Sequence, residues 1–292
     1  MSVCPTTDIF TFLFSRVVLT NFFMMSSYSG LIFDLLKSNL ISKDVYKRQV
    51  QYVCVLYLAM KQKQEIFTML GGRIKFHRSE YNATSDAVWL AALAAGFRGK
   101  TILDVGIGTG GVSLCLLAHK PDLKITGLDI SDKMLGFCSD NAKLNEKNIE
   151  LINADILKWR TARTFDIVIS NPPYFKGTGK TGAGQTHHNA DLYAWTAACL
   201  RRVSPRGYIC LISDAGRTAE IISALFTGGA GGTEIIPLIG GDKGKAERVL
   251  ICGRLGVKTL STVHSPVFMN NKSVLMDGLT ISELSGKLTP KC

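Results

Sequence analysis

TILDVGIGTGG, residues 101–111, sets a run of strand-forming residues directly before three glycines at alternate positions, Gly106, Gly108 and Gly110. The run reads as a buried strand and the glycines as a tight turn leading into a helix. Glycine is required where the backbone turns sharply and approaches a ligand closely, because a side chain would fill that space. Gly106, Gly108 and Gly110 are therefore the expected floor of a ligand site. Gly111 extends the spacing to G-x-G-x-G-G, which also satisfies the dinucleotide fingerprint. The glycines alone do not separate a nicotinamide cofactor from another adenosine ligand.

Outward from this turn, apolar runs alternate with helical patterns. Strands are expected at 101–105, 124–130, 149–153, 165–170, 207–213, 233–239 and 247–255, with helices near Gly111–His119, Ser131–Leu144, Asp191–Val203 and Arg217–Phe226. That alternation predicts an α/β fold, one doubly wound and mainly parallel seven-stranded sheet. No helical pattern separates the last two strands, so they form an antiparallel hairpin. Upstream, a turn-rich basic segment precedes a short alanine-rich helix, with Ser85 as its expected N-cap, Asp86 in its first turn and its end at Gly96.

Two acidic residues fall where such a sheet presents side chains to an adenosine. Asp129 ends the second strand about 20 residues beyond the glycines, where a carboxylate accepts from both ribose hydroxyls. Asp155 follows the third strand in N-A-D, placed either to accept from an adenine amino group or to cap a loop. Asp104, just before the glycines, favours a cofactor with a charged amino-acid end.

After the fourth strand comes S-N-P-P-Y-F, Ser170–Phe175. Two prolines stiffen the backbone and remove two amide donors, so the neighbouring carbonyls are presented rather than paired. Asn171 adds a side-chain carbonyl and Tyr174 a flat ring on which a base can stack. With Pro172 and Pro173 they form an acceptor-rich arm suited to orienting an amine whose lone pair is delocalised into a ring. The requirement is positional and electrostatic, and calls for no metal or nucleophilic side chain.

D-V-G-I-G-T-G followed by N-P-P-Y resembles the class I amino-methyltransferases. From about residue 67 to 270 the chain is similar to the bacterial tRNA (valine) adenine-N6 methyltransferases, through LGGRIKFHRSEYNATSDAVWLAA, HHNADLYAWTAACLRR and AERVLICGRLG. The resemblance implies a Rossmann-like fold, S-adenosylmethionine as cofactor, and methylation of an RNA adenine N6, foremost the adenine just 3′ of a tRNA anticodon. It also implies that Ser85 and Asp86 help close the cofactor pocket. N-P-P-Y is shared with glutamine-methylating and guanine-methylating relatives, so protein glutamine N5 and rRNA guanine N2 remain alternative targets.

Composition bears on that choice. Lys and Arg outnumber Asp and Glu by 34 to 23, a net charge of +11, which favours an acidic partner such as RNA. An acidic or neutral protein groove gives no reason for that charge, and a nicotinamide enzyme has no use for N-P-P-Y. The eight cysteines show no zinc-like spacing, and five lie in apolar runs, as expected of reduced thiols in the cytoplasm. A monomer without stable membrane association is expected.

The chain divides into an extension at 1–65, the domain at 66–256 and a tail at 257–292. Within the extension the uncharged run Val17–Phe33 is interrupted by Asn21, Ser26, Ser27 and Ser29, which makes a poor membrane span. DVYKRQ, Asp44–Gln49, resembles translated sequencing adapter and marks part of the extension as a candidate assembly artefact. Past the arm, GTGKTGAG at Gly177–Gly184 imitates a phosphate-binding loop, but the position needing its first glycine is Tyr174. A lid carrying Lys176 and Lys180, or an ordinary flexible loop, fits better. His187 and His188 lack companion ligands and suit a helix flank or an RNA contact more than a metal.

Overall fold

The computed structural model describes residues 65–79, 81–173, 191–240, 244–281 and 283. The extension up to residue 64, Tyr174, the 176–188 stretch with its lysines, and His187 and His188 all lie outside the described residues. Residues 65–292 make up one compact unit.

The described chain opens with a hairpin, β1 (Ile66–Met69) and β2 (Ile74–His77), followed by helix α1 (Ser85–Ala94). The main sheet then begins. In chain order it contains β3 (Thr101–Val105), α2 (Gly111–His119), β4 (Lys124–Asp129), α3 (Asp132–Leu144), β5 (Glu150–Asn153), β6 (Phe165–Ser170), α4 (Leu192–Leu200), β7 (Val203–Asp214), α5 (Thr218–Thr227), β8 (Ala230–Ile239) and β9 (Ala246–Leu255). Two short strands, β10 (Thr262–Val263) and β11 (Val267–Phe268), pair parallel with β8. The strand order is β10-β8-β9-β7-β6-β3-β4-β5. Strands β3 to β7 are mutually parallel, and β9 runs antiparallel between β7 and β8. The seven expected strands and the antiparallel last pair are all present.

Both faces of the sheet are covered, and alternate residues of each strand divide between two cores. Ile102, Ile169, Cys210, Ile212, Leu250 and Cys252 pack with α1 and α2 on one side. Leu103, Val105, Ile209, Leu211, Val249 and Ile251 pack with α4 and α5 on the other. The five described cysteines are buried and unbridged, and burial pushes the thiols of Cys115 and Cys138 up to about 12, so they act as small apolar fillers.

Several boundaries move. Thr84, not Ser85, is the N-cap of α1: its backbone is extended, its carbonyl accepts from Ala87 N–H, and its side chain makes no capping bond. Asp191 caps α4 by accepting from Tyr193 N–H, and Val203, expected in that helix, begins β7 instead. The segment read as turn-rich holds the β1–β2 hairpin, whose Phe67 and Phe76 rings stack at 5.3 Å. Residues beyond 256 supply β10 and β11 and send Val274 and Ile281 into the core shared with α1. Among the described residues no helix is long and apolar enough to cross a membrane.

Candidate functional site

The site grows from the register of three neighbouring strands. Val105 lies opposite Ser170 across the β3–β6 pair, so the chain leaves both strands at one level. Gly106 and Asn171 therefore start side by side, about 4.8 Å apart, the ordinary strand spacing. Ser170 is fully buried; its hydroxyl donates to Val105 O (2.7 Å) and accepts from the indole N–H of Trp195 (3.1 Å). The same ring backs Gly106, where a Cβ would lie 3.4 Å from Trp195 Cζ2. One residue of α4 thus touches the roots of both the glycine turn and the acceptor arm.

Hydrogen bonds from three sides fix the turn. Gly106 and Ile107 N–H groups donate to Leu128 O, Gly108 N–H to Asp129 Oδ2, and Asn141 Nδ2 of α3 to Thr109 O. Gly110 has φ 86° and caps α2, and a Cβ there would stand 2.9 Å from Cys138 Sγ, so glycine is obligatory on both counts. Gly127 matters equally, although the motif does not contain it. A Cβ at 127 would come 2.2 Å from Ile107 Cδ1, so its absence lets the turn settle onto β4.

Asp129 is partly exposed, and its carboxylate accepts from the N–H groups of Gly108 and Ser131, both at 2.9 Å. Each oxygen keeps acceptor capacity for a ribose hydroxyl, and the two amides hold the group at the edge beforehand. Ile130, next in the chain, is 45% exposed at the same edge and offers an apolar face beside the acid. Asp104 is buried under the turn, accepts from Ser113 Oγ (2.7 Å), and is pushed up to about 7 chiefly by burial.

Asp155 follows β5 next to Asp129, whose carbonyl accepts from Ala154 N–H. Its Oδ1 caps the local turn by accepting from Leu157 N–H (2.9 Å), which is the loop-capping alternative read from the sequence. Ser85 is exposed on the first turn of α1, while Asp86 is buried and pairs with Arg248 of β9 at 3.1 Å. That turn reaches the site through its neighbours: Ala83 and Ala87 press against Gly111. Asn171 is half-buried, Pro172 buried and Pro173 exposed; Tyr174 is outside the described residues.

The structure therefore brings together the three glycines, Asp129, Asn171 and Pro172, with Asp104 beneath and Asp155 alongside. Sequence reading missed Trp195, Ser170, Gly127 and Ile130. Ile130 alone carried a local signal, an apolar residue continuing past an acidic strand end. The cradle suits S-adenosylmethionine: a backbone turn cleared by glycines, a pre-held carboxylate for the ribose, an apolar side chain beside it, and a buried carboxylate near the turn.

The parallel sheet with its β9 insertion defines a class I, Rossmann-like methyltransferase fold, the class whose methyl donor is S-adenosylmethionine. Residues 76–191 match the family model described as the methyltransferase small domain. The chain is 32% identical over 145 residues to a tRNA1(Val) (adenine(37)-N6)-methyltransferase of Glaesserella parasuis, a match covering 46% of this chain and 60% of the relative. A release factor glutamine methyltransferase of Flavobacterium psychrophilum is 39% identical over 80 residues, covering 27% of this chain and 28% of the relative. A solved structure described as a predicted O-methyltransferase of Agrobacterium tumefaciens superposes with a TM-score of 0.55 at 25% identity, covering 67% of this chain and 97% of that one. The chain spans no more than three fifths of the length of these curated relatives.

Proposed function

We propose that the protein is an S-adenosylmethionine-dependent N-methyltransferase acting on the N6 amine of an adenine in RNA, foremost the anticodon-loop adenine just 3′ of the anticodon. The observation that carries this reading is the Val105–Ser170 register, which starts the acceptor arm beside the cofactor turn. S-adenosylmethionine supplies a methyl group on a sulfonium. Gly106, Gly108 and Gly110 would hold it by backbone and Asp129 by its ribose, and Asp104 would favour its charged amino-acid end from beneath the turn. Asp155 has Oδ1 in its own turn, and Oδ2, which lies 4.0 Å from the exposed Lys158 ammonium, would accept from an adenine amino group.

Asn171 Oδ1 and the Pro172 carbonyl accept the two N–H hydrogens of the target amine. They would turn its lone pair out of conjugation and toward the methyl carbon; as the nitrogen–methyl bond formed, the methyl–sulfur bond would break with its electron pair left on sulfur, and the amine's proton would leave to solvent. Pre-positioned acceptors do this without a strong base. Tyr174 is assigned the stacking face on its sequence position. Ser85 and Asp86 are assigned to the pocket wall, where Arg248 holds Asp86.

A single-stranded loop base is the least costly to extrude, which favours an anticodon loop over a duplex site. The net charge of +11 supports an RNA partner, as does the similarity to a tRNA-named relative. A second reading, methylation of a protein glutamine, is favoured by the release-factor-methylating relative. Incubation with labelled cofactor, an unmodified tRNA pool and release factors, followed by mass spectrometry of nucleosides and peptides, separates them. N6-methyladenosine is expected; label confined to glutamine overturns the RNA assignment.

A further inference from the structure

The end of the sheet opposite the site carries a row of cations that the chemistry does not use. Arg98 and Lys100 precede β3, Arg201 and Arg202 lead from α4 into β7, and Arg206 lies in the opening stretch of β7. Arg254 comes in on antiparallel β9, opposite Tyr208, and donates to Arg206 O at 2.8 Å. Arg160, in the β5–β6 connection, completes the group: Arg202 donates to Thr161 O (2.6 Å) and lies 5.6 Å over the Trp159 ring beside it. The topology thus gathers side chains from three connections and from the ends of β7 and β9 along one edge.

These cations have no carboxylate partners among the described residues. Two acids of that edge are already taken: Glu150 is chelated by Arg163 at 2.7 Å, and Asp166 accepts from the Lys100 and Thr101 backbone N–H groups; Asp122 and Glu146, exposed before β4 and β5, lie past the β3 end of the row. Arg202 is buried with its Nε unpartnered. Its guanidinium is held below its usual range first by burial and then by repulsion from Arg201 and Arg160, so the charges sense one another. Like charges held together without counter-charge oppose the compact state and are relieved by a polyanion.

We propose that this amino-terminal edge of the sheet is a second RNA contact, which binds backbone phosphates of the substrate away from the target base. The inference rests on the RNA reading of the site and adds to it the place where the body of the RNA is held. The row crosses β3, β6, β7 and β9, about 15 Å at ordinary strand spacing. A row of forked guanidinium donors matches successive phosphate oxygens on one strand. A membrane surface would call for apolar side chains inserted among the charges. The large exposed apolar residues nearest in the chain fold, Phe226 and Leu260, instead flank β8, beyond the end of the row. The length of β3 separates the two edges by about 17 Å, short enough for one folded RNA to touch both.

The test uses the full chain carrying Arg160→Gln, Arg201→Gln and Arg206→Gln, three exposed positions. Binding to an unmodified tRNA pool is measured against salt, together with methylation kinetics. Affinity is expected to fall at least tenfold at about 0.1 M salt, and the slope of log K against log salt to shrink by about 2 to 3, one for each lost phosphate contact. The KM for RNA should rise by the same factor with kcat unchanged, since the edge is remote from the reacting atoms. The S-adenosylhomocysteine thermal shift should match wild type, which verifies folding. If wild type binds and methylates RNA and the triple variant does so equally well, the edge is not an anchor. If the substitutions abolish binding only to vesicles containing phosphatidylserine, the partner is a membrane and the proposal falls. If wild type itself neither binds nor methylates RNA, the parent reading fails, and the wild-type control alone reveals it.

Discussion

Asp104 is the residue where burial and chemistry conflict most sharply. In the unfolded chain it titrates near 3.8, and in the fold at about 7, chiefly because burial penalises its charge. The folded form thus holds its proton to higher pH. Its contribution to stability is complete below about 4 and is lost as pH rises through about 7. Asp104→Asn should remove this slope, raising the ligand-free melting temperature most above pH 7. A cationic ligand end nearby favours the carboxylate and expels the proton, so S-adenosylhomocysteine should bind more tightly as pH rises through 7 in wild type but not in the variant. Titrations across that range check both; a pH-independent wild-type affinity would remove Asp104 from the site. Asn171→Ala tests the arm: cofactor binding should survive, and turnover should fall by roughly two to three orders of magnitude. Wild-type turnover in that variant would reduce N-P-P-Y to a structural turn. The motif residues were legible because glycine and proline act through their own backbones. Trp195 was not, since its role depends on α4 meeting the ends of β3 and β6, which no local spacing encodes.

Among the elements, β3, β4, β6 and β7 were readable because burial on two faces writes a continuous apolar run into each. The β1–β2 hairpin was hidden because its four-residue strands depend on a distant helix. Asn141 of α3 and Asn145, its C-cap, accept from His77 and Lys75 N–H groups, standing in for a neighbouring strand along the β2 edge. β10 and β11, two residues each, likewise exist only against β8. Asn141 links two elements of the site, since it is buried, accepts from β2 and donates to Thr109 O in the glycine turn. Its removal leaves a backbone donor and a backbone acceptor without partners, at roughly 1 to 3 kcal/mol each where water cannot replace the bond. Asn141→Ala should therefore lower unfolding free energy by about 2 to 6 kcal/mol and weaken S-adenosylhomocysteine binding. Urea unfolding and calorimetry would measure these; a loss of stability with ligand affinity intact would confine Asn141 to supporting the hairpin.

At the scale of the molecule, residues 65–292 contain both cores, the complete described sheet and every described site residue. They also carry 27 of the 34 Lys and Arg against 20 of the 23 Asp and Glu, so most of the positive charge travels with the catalytic unit. The remaining prediction is that this unit is sufficient. A chain beginning at Glu65 should fold cooperatively and respond to S-adenosylhomocysteine as the full protein does. A ligand that binds only the native state at 100 times its Kd adds about 2.7 kcal/mol of stability. For a domain of this size each kcal/mol moves the melting temperature by about 2 to 4 °C, so a rise of roughly 5 to 11 °C is expected in both chains. Methylation rates on the tRNA pool should also agree within a factor of about two, since the described unit already contains the turn, the root of the arm and the basic edge. A truncated chain that folds and shifts with ligand, but has lost methylation, would give the first 64 residues a part in substrate handling. A truncated chain that does not fold would make them part of the structural unit instead.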